Sequence, residues 1–169
     1  TCTMISTEVN LASRLEGLTK AIGAKTLASG AVMERLSDAN EFEHRYVGPI
    51  FVEGATEPIE VYEVFQNDAV PLKALKADTK AQFEAAVRQM TSDPVAALTQ
   101  FEALSALGVN GVVDVAIEKK LEHLRTELAA ALIVTDANEN LVAVSATHHV
   151  SCMTASERYT KSGVAVPSP

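Results

Sequence analysis

Asn10 and Arg14 stand one helical turn apart near the start of the run EVNLASRLEGLTKAIGAKTLAS, residues 8–29. They therefore share a face. Leu11, Leu15 and Leu18 recur on a neighbouring stripe that can pack into a core, which leaves the amide and the guanidinium free to project toward a cleft. Presented together, such groups can orient a sugar and neutralise charge building on a phosphate oxygen. Spacing alone also permits a plainer role for each, an Asn as helix cap and an Arg in solvent.

The elements that must position this pair follow from periodicity. A strand is expected at 2–6, a helix at 8–21, a strand at 25–29 and a short helix at 31–37. Two longer strands are expected at 42–52 and 58–66. In the second, Ile59, Val61, Glu63 and Phe65 alternate with Glu60, Tyr62 and Val64, and Gly54 lies in the turn EGATEP between the two strands. This is an α+β half-domain with antiparallel closing strands. After Gln66 the run NDAVPLKALKADTK reads as a linker entering a helix that carries Phe83, Val87 and Met90. SDP then supplies a cap and an N1 proline for a helix with Leu98, Phe101, Leu104 and Leu107 on its apolar face. GVNG breaks that helix, and Val115, Ile117, Leu121, Leu124 and Leu128 mark a third. ALIVTDANENLVAVS reads as two apolar strands around a polar turn, and His148 and His149 fall in a polar, aperiodic tail.

Among 169 residues the formal net charge is −8, which argues against nucleic acid as a partner because phosphate neutralisation needs clustered Lys and Arg. No apolar run approaches bilayer length and no signal peptide is visible, so a soluble, cytoplasmic chain is expected, tethered to a membrane only through other parts of a parent protein. Cys2 and Cys152 lie far apart without metal-ligand spacing, and reduced thiols are the default.

VNLASRLEGLTK resembles the signature helix of class III adenylate and guanylate cyclases, written VNLASRLE. The likeness continues in order through AKTLAS, GAVMERLSD and YVGPIFVEGATEPIEVYEV, which resembles the family's closing hairpin with its G-x-V-x-V-x-G pattern, Ile50 standing for the first Val, and its P-x-x-VYEV pattern. It implies that residues 1–66 are the C-terminal part of a ferredoxin-like cyclase domain. The following helices, 80–130 behind a 67–79 linker, resemble a tetratricopeptide-like tail, and 131–169 form a hairpin and tail that resemble the opening of a PAS domain. Beginning at Thr1 inside a strand, the sequence reads as a fragment of a longer protein.

Family chemistry is attack of a ribose 3′-hydroxyl on the α-phosphate of a nucleoside triphosphate, giving a cyclic nucleotide and pyrophosphate. The resemblance makes Asn10 the ribose-orienting residue and Arg14 the one that stabilises charge on the α-phosphate. It implies Mg or Mn ions held by aspartates absent from this sequence, and a head-to-tail dimer with a second cyclase domain. Seven residues before Asn10, Thr3 takes the base-recognition position and favours ATP, whereas the adjacent Cys2 would favour GTP. Two departures stand out. The family's IGDTVN is ISTEVN here, and a Lys that contacts the triphosphate is replaced by Glu53. Three functions follow as expectations: half of an adenylate cyclase site, inactive as this chain alone; a degenerate cyclase homology domain with a regulatory role; or an interaction module whose helical tail docks a protein.

Overall fold

The structure, a computed structural model, describes residues 7–38, 41–51, 57–108 and 111–136. The expected strand at 2–6, Thr3, Glu53, both cysteines and both adjacent histidines lie outside the described residues. What is described is a small antiparallel sheet with helices before and after it. In chain order the elements are α1 (Thr7–Ile22), β1 (Leu27–Ser29), α2 (Gly30–Arg35), β2 (His44–Ile50), β3 (Ile59–Val64), α3 (Val70–Gln89), α4 (Pro94–Ser105) and α5 (Val115–Asp136).

Helix α1 buries Leu15 and partly buries Leu11, as its apolar stripe requires. It stops at Gly23, whose φ of +80° lets its N–H, and that of Ala24, turn back to the Thr19 carbonyl at 2.9 and 3.0 Å. The sheet has the order β1-β3-β2, all antiparallel, with Ser29 opposite Val61 and Tyr46 opposite Tyr62. Between Tyr46 and Gly48 the register slips by one residue, which makes Val47 a bulge. The Lys120 ammonium on α5 donates to the Val47 carbonyl at 2.7 Å, and Glu84 on α3 accepts from the Tyr46 N–H at 2.9 Å. Side chains of the helices thus occupy backbone groups of β2 that its bulge and edge position leave open.

Residues 70–79, expected as linker, are the first half of α3. Pro71 in the first turn is compatible with a helix start, and Lys76 and Thr79 are buried on the same stripe as Phe83. Asp93 caps α4 by accepting from the Ala96 N–H at 2.9 Å, with Pro94 following as expected. Leu107, expected on the apolar face of α4, lies past its end and is exposed. The first strand of the hairpin expected from 131 is also corrected, because 131–136 continue α5, while the rest of that hairpin and the tail to 169 lie outside the described residues. The run ELAAAL, built from strong helix formers, carries the helix into an apolar stretch whose periodicity fits a strand equally well.

One core runs through sheet and helices. Val47 and Val61 from the strands, Leu15 from α1, Phe83 and Val87 from α3, Phe101 from α4 and Ile117, Leu121 and Leu124 from α5 belong to a single buried cluster. Through this cluster passes a chain of charges. The Arg45 side chain, 0 % exposed, grips Asp114 with both ends of its fork, Nη1 to Oδ2 at 2.6 Å and Nη2 to Oδ1 at 2.9 Å. Its Nε donates to Glu63 at 2.7 Å, and the guanidinium carbon sits 3.9 Å from the centre of the Phe83 ring. Glu63 in turn accepts from Lys76 at 2.6 Å, Lys76 donates to Asp68 at 2.6 Å, and Lys25 closes the row on Asp68 at 3.0 Å.

Burial works against the Arg45 charge, and the hydrogen bonds and fields of Asp114 and Glu63 more than offset it, so its pKa is raised. Burial would raise the Asp68 carboxyl, but Lys76 and then Lys25 hold it below the ordinary carboxylate range. A depressed carboxyl stabilises the fold above its unfolded pKa and loses that contribution as pH falls through the folded one. Cations and carboxylates alternate along the whole row, so no buried charge is left without an opposite neighbour. Removing the Arg45 cation should strand Asp114 and leave Glu63 with Lys76 alone. Arg45→Met is expected to lower stability in urea denaturation by about 3–5 kcal/mol. The exposed pair Lys119–Glu122 is the contrast, where Lys119→Ala should change stability by less than about 1 kcal/mol; equal small losses at both sites would remove the structural role given to Arg45.

Candidate functional site

On α1, Asn10 lies in the first turn and is exposed, and Arg14 follows one turn later, half buried. Leu11 and Leu15 hold the inner side of the helix against the core, so the shared face expected for Asn10 and Arg14 is present. Arg14 has an unusual feature: its Nη1 is buried and has no hydrogen-bond partner among the described residues. A guanidinium carries five N–H donors and no acceptor. An unused buried donor lowers stability in the free protein and is available to an anionic oxygen.

The lower end of α1 is fixed closely. A Cβ at Gly23 would stand 2.8 Å from the Val115 backbone carbon and 3.0 Å from the Ala116 nitrogen, at the start of α5. Only glycine permits this approach, quite apart from its positive φ. Two cavities lie away from α1. One of about 140 Å³ is walled by Leu75, Leu104, Val112 and Asp114, and another, more open, lies between Glu102 and Arg125; neither has Asn10 or Arg14 in its wall. Among the described residues no group of three or more His, Cys, Asp or Glu is placed to hold a metal ion. These residues do not fit the divalent ions that a cyclase reaction implies.

The buried polar residues that organise the molecule were not among those singled out from the sequence. Arg45, Glu63, Lys76 and Asp114 are all buried. Signals for three of them are visible in retrospect. Glu63 keeps the inward phase of Val61 and Phe65, Lys76 precedes Phe83 by one heptad, and Asp114 stands at the start of α5, where its Oδ1 accepts from the Ala116 N–H at 3.2 Å.

Over 63 residues, 37 % of its length, the chain is 41 % identical to an adenylate cyclase of Anabaena cylindrica. Over 62 residues it is 40 % identical to adenylate cyclase 1 of Rhizobium meliloti (strain 1021). The matched stretches make up 12 % and 9 % of those two proteins, so the chain spans about a tenth of the length of the curated relatives it matches. No family model matches the chain, and no solved structure matches it. Part of the chain is thus similar to adenylate cyclase sequences, at partial length.

If the spare donor of Arg14 serves a ligand rather than the fold, its loss should not harm stability. Arg14→Met, which keeps the aliphatic stem, is expected to leave the unfolding free energy unchanged or to raise it by up to about 1 kcal/mol. A clear loss in thermal or urea unfolding would show Arg14 to be a structural residue.

Proposed function

We propose that this chain carries one half of an adenylate cyclase-type site, the half that binds the ribose and the α-phosphate, and that the metal-binding half comes from residues outside the chain. The observation that carries the reading is the pairing of Asn10 with Arg14 on α1, with a buried Arg14 nitrogen that has no hydrogen-bond partner among the described residues, in a chain partly similar to adenylate cyclases. In this reading the Asn10 amide fixes the ribose so that its 3′-hydroxyl faces the α-phosphorus. Arg14 donates to an α-phosphate oxygen whose charge grows as the new P–O bond forms and pyrophosphate departs. Such a donor acts on the transition state more than on the bound substrate. Thr3 reads adenine, and a second cyclase domain, packed head to tail, supplies the aspartates that hold Mg or Mn. Residues 1–66 are the cyclase-derived part and the helices behind them a tetratricopeptide-like tail that a protein partner could engage.

A second reading, a degenerate homology domain with a regulatory role, is favoured by Glu53. A carboxylate where the family has a triphosphate-binding Lys replaces an attraction by a repulsion.

The two readings separate in one series of assays. Alone, the 169-residue chain is expected to form no cyclic AMP from ATP with Mg²⁺ or Mn²⁺. In a longer protein that joins this chain to the two aspartates, Arg14→Ala should lower kcat by about 10²- to 10³-fold with little change in KM. Glu53→Lys should strengthen ATP binding and raise activity. An unchanged kcat in Arg14→Ala contradicts the first reading, and zero activity in both Glu53 forms supports the second.

A further inference from the structure

The row of buried charges ends where α1 ends. Lys25, its exposed terminus, follows Gly23 by two residues, and Asp114, its other terminus, is bonded in the chain to Val115, the residue that meets the Gly23 backbone. Lys25, Asp68, Lys76, Glu63, Arg45 and Asp114 therefore form a row with both ends near the C-terminal end of α1 in sequence or by contact.

We propose that Asp114 is a positioning residue for Asn10 and Arg14: by locking the start of α5 onto Arg45 it sets the seat against which α1 is held. The role given to Asn10 and Arg14 rests on the cyclase reading, whereas the mechanical coupling does not. A helix moves largely as a rigid body, and its lower end is seated by contacts too close for a side chain at Gly23. Asp114 serves two elements at once. Both of its oxygens receive Arg45 of β2, and Oδ1 also accepts from Ala116 of α5. An Asn at this position keeps the size and one acceptor but loses the charge and the symmetric fork, so the start of α5 is no longer pinned to the sheet.

Amide hydrogen exchange on the full 169-residue chain tests the coupling. In Asp114→Asn, amides of α1 are expected to exchange at least about tenfold faster relative to those of α4, which contributes no member of the row. Ala97→Gly, a comparable loss placed in the core of α4, should reverse that ratio. If Asp114→Asn does not fold, Asp114→Glu, which keeps the charge and misplaces it by one methylene, is read in the same way. Equal acceleration of α1 and α4, or an unmoved α1, overturns the proposal and leaves Asp114 a residue of general stability. The other claim is read separately, in the longer protein that joins this chain to the two aspartates: an unchanged kcat in Arg14→Ala, with the coupling intact, defeats the cyclase reading alone.

Discussion

A guanidinium with no exposure to water must find opposite charge on the spot, and in this molecule the carboxylates that meet Arg45 come from different parts of the chain. Glu63 is its neighbour in the sheet, and Asp114 lies 69 positions further on, at the start of the last described helix. Transfer of such a group from water is strongly unfavourable unless it is paired with good geometry and its remaining donors are used. Both edges of the Arg45 fork are paired, and Phe83 covers a face. The sheet therefore cannot bury β2 in this way without α3 and α5 in place. Chain segments that the sequence divides at Gln66 are joined by their least replaceable interaction.

This constraint bears on the site. Asn10 and Arg14 stand on a helix that contributes Leu15 to the common core and touches the start of α5 through Gly23. The pair is thus supported by the last helix as well as by the strands that follow it. Arg14 and Arg45 show opposite uses of the same side chain. Arg45 has its fork occupied and is a structural member, whereas a buried nitrogen of Arg14 has no hydrogen-bond partner among the described residues.

Much of this could be read before the structure. The signature helix, the short helix after it, the two closing strands and the Asp93 cap all follow from local patterns, because each is set by neighbours in sequence. Asn10 and Arg14 were legible for the same reason, as two residues one turn apart. The ion row was not, since Arg45 and Asp114 meet only through the tertiary fold, and a lone Arg in a strand reads as an edge or surface residue. The alternation places Glu63 on one side with Ile59, Val61 and Phe65, and nothing in it names a partner for the carboxylate. The start of α3 was missed because NDAVP resembles a turn, and the end of α5 because a helix and a buried strand share the same apolar run.

The central claim is that sheet and helices form one cooperative unit held by the buried charges. The chain has no Trp, and of its three Tyr residues Tyr46 and Tyr62 lie on the sheet, so tyrosine absorbance in the near ultraviolet reports the sheet while ellipticity at about 222 nm reports the helices. Urea unfolding followed by both signals should give coincident transitions. Two separate transitions, with the helices melting while the tyrosine environment stays folded, would contradict it.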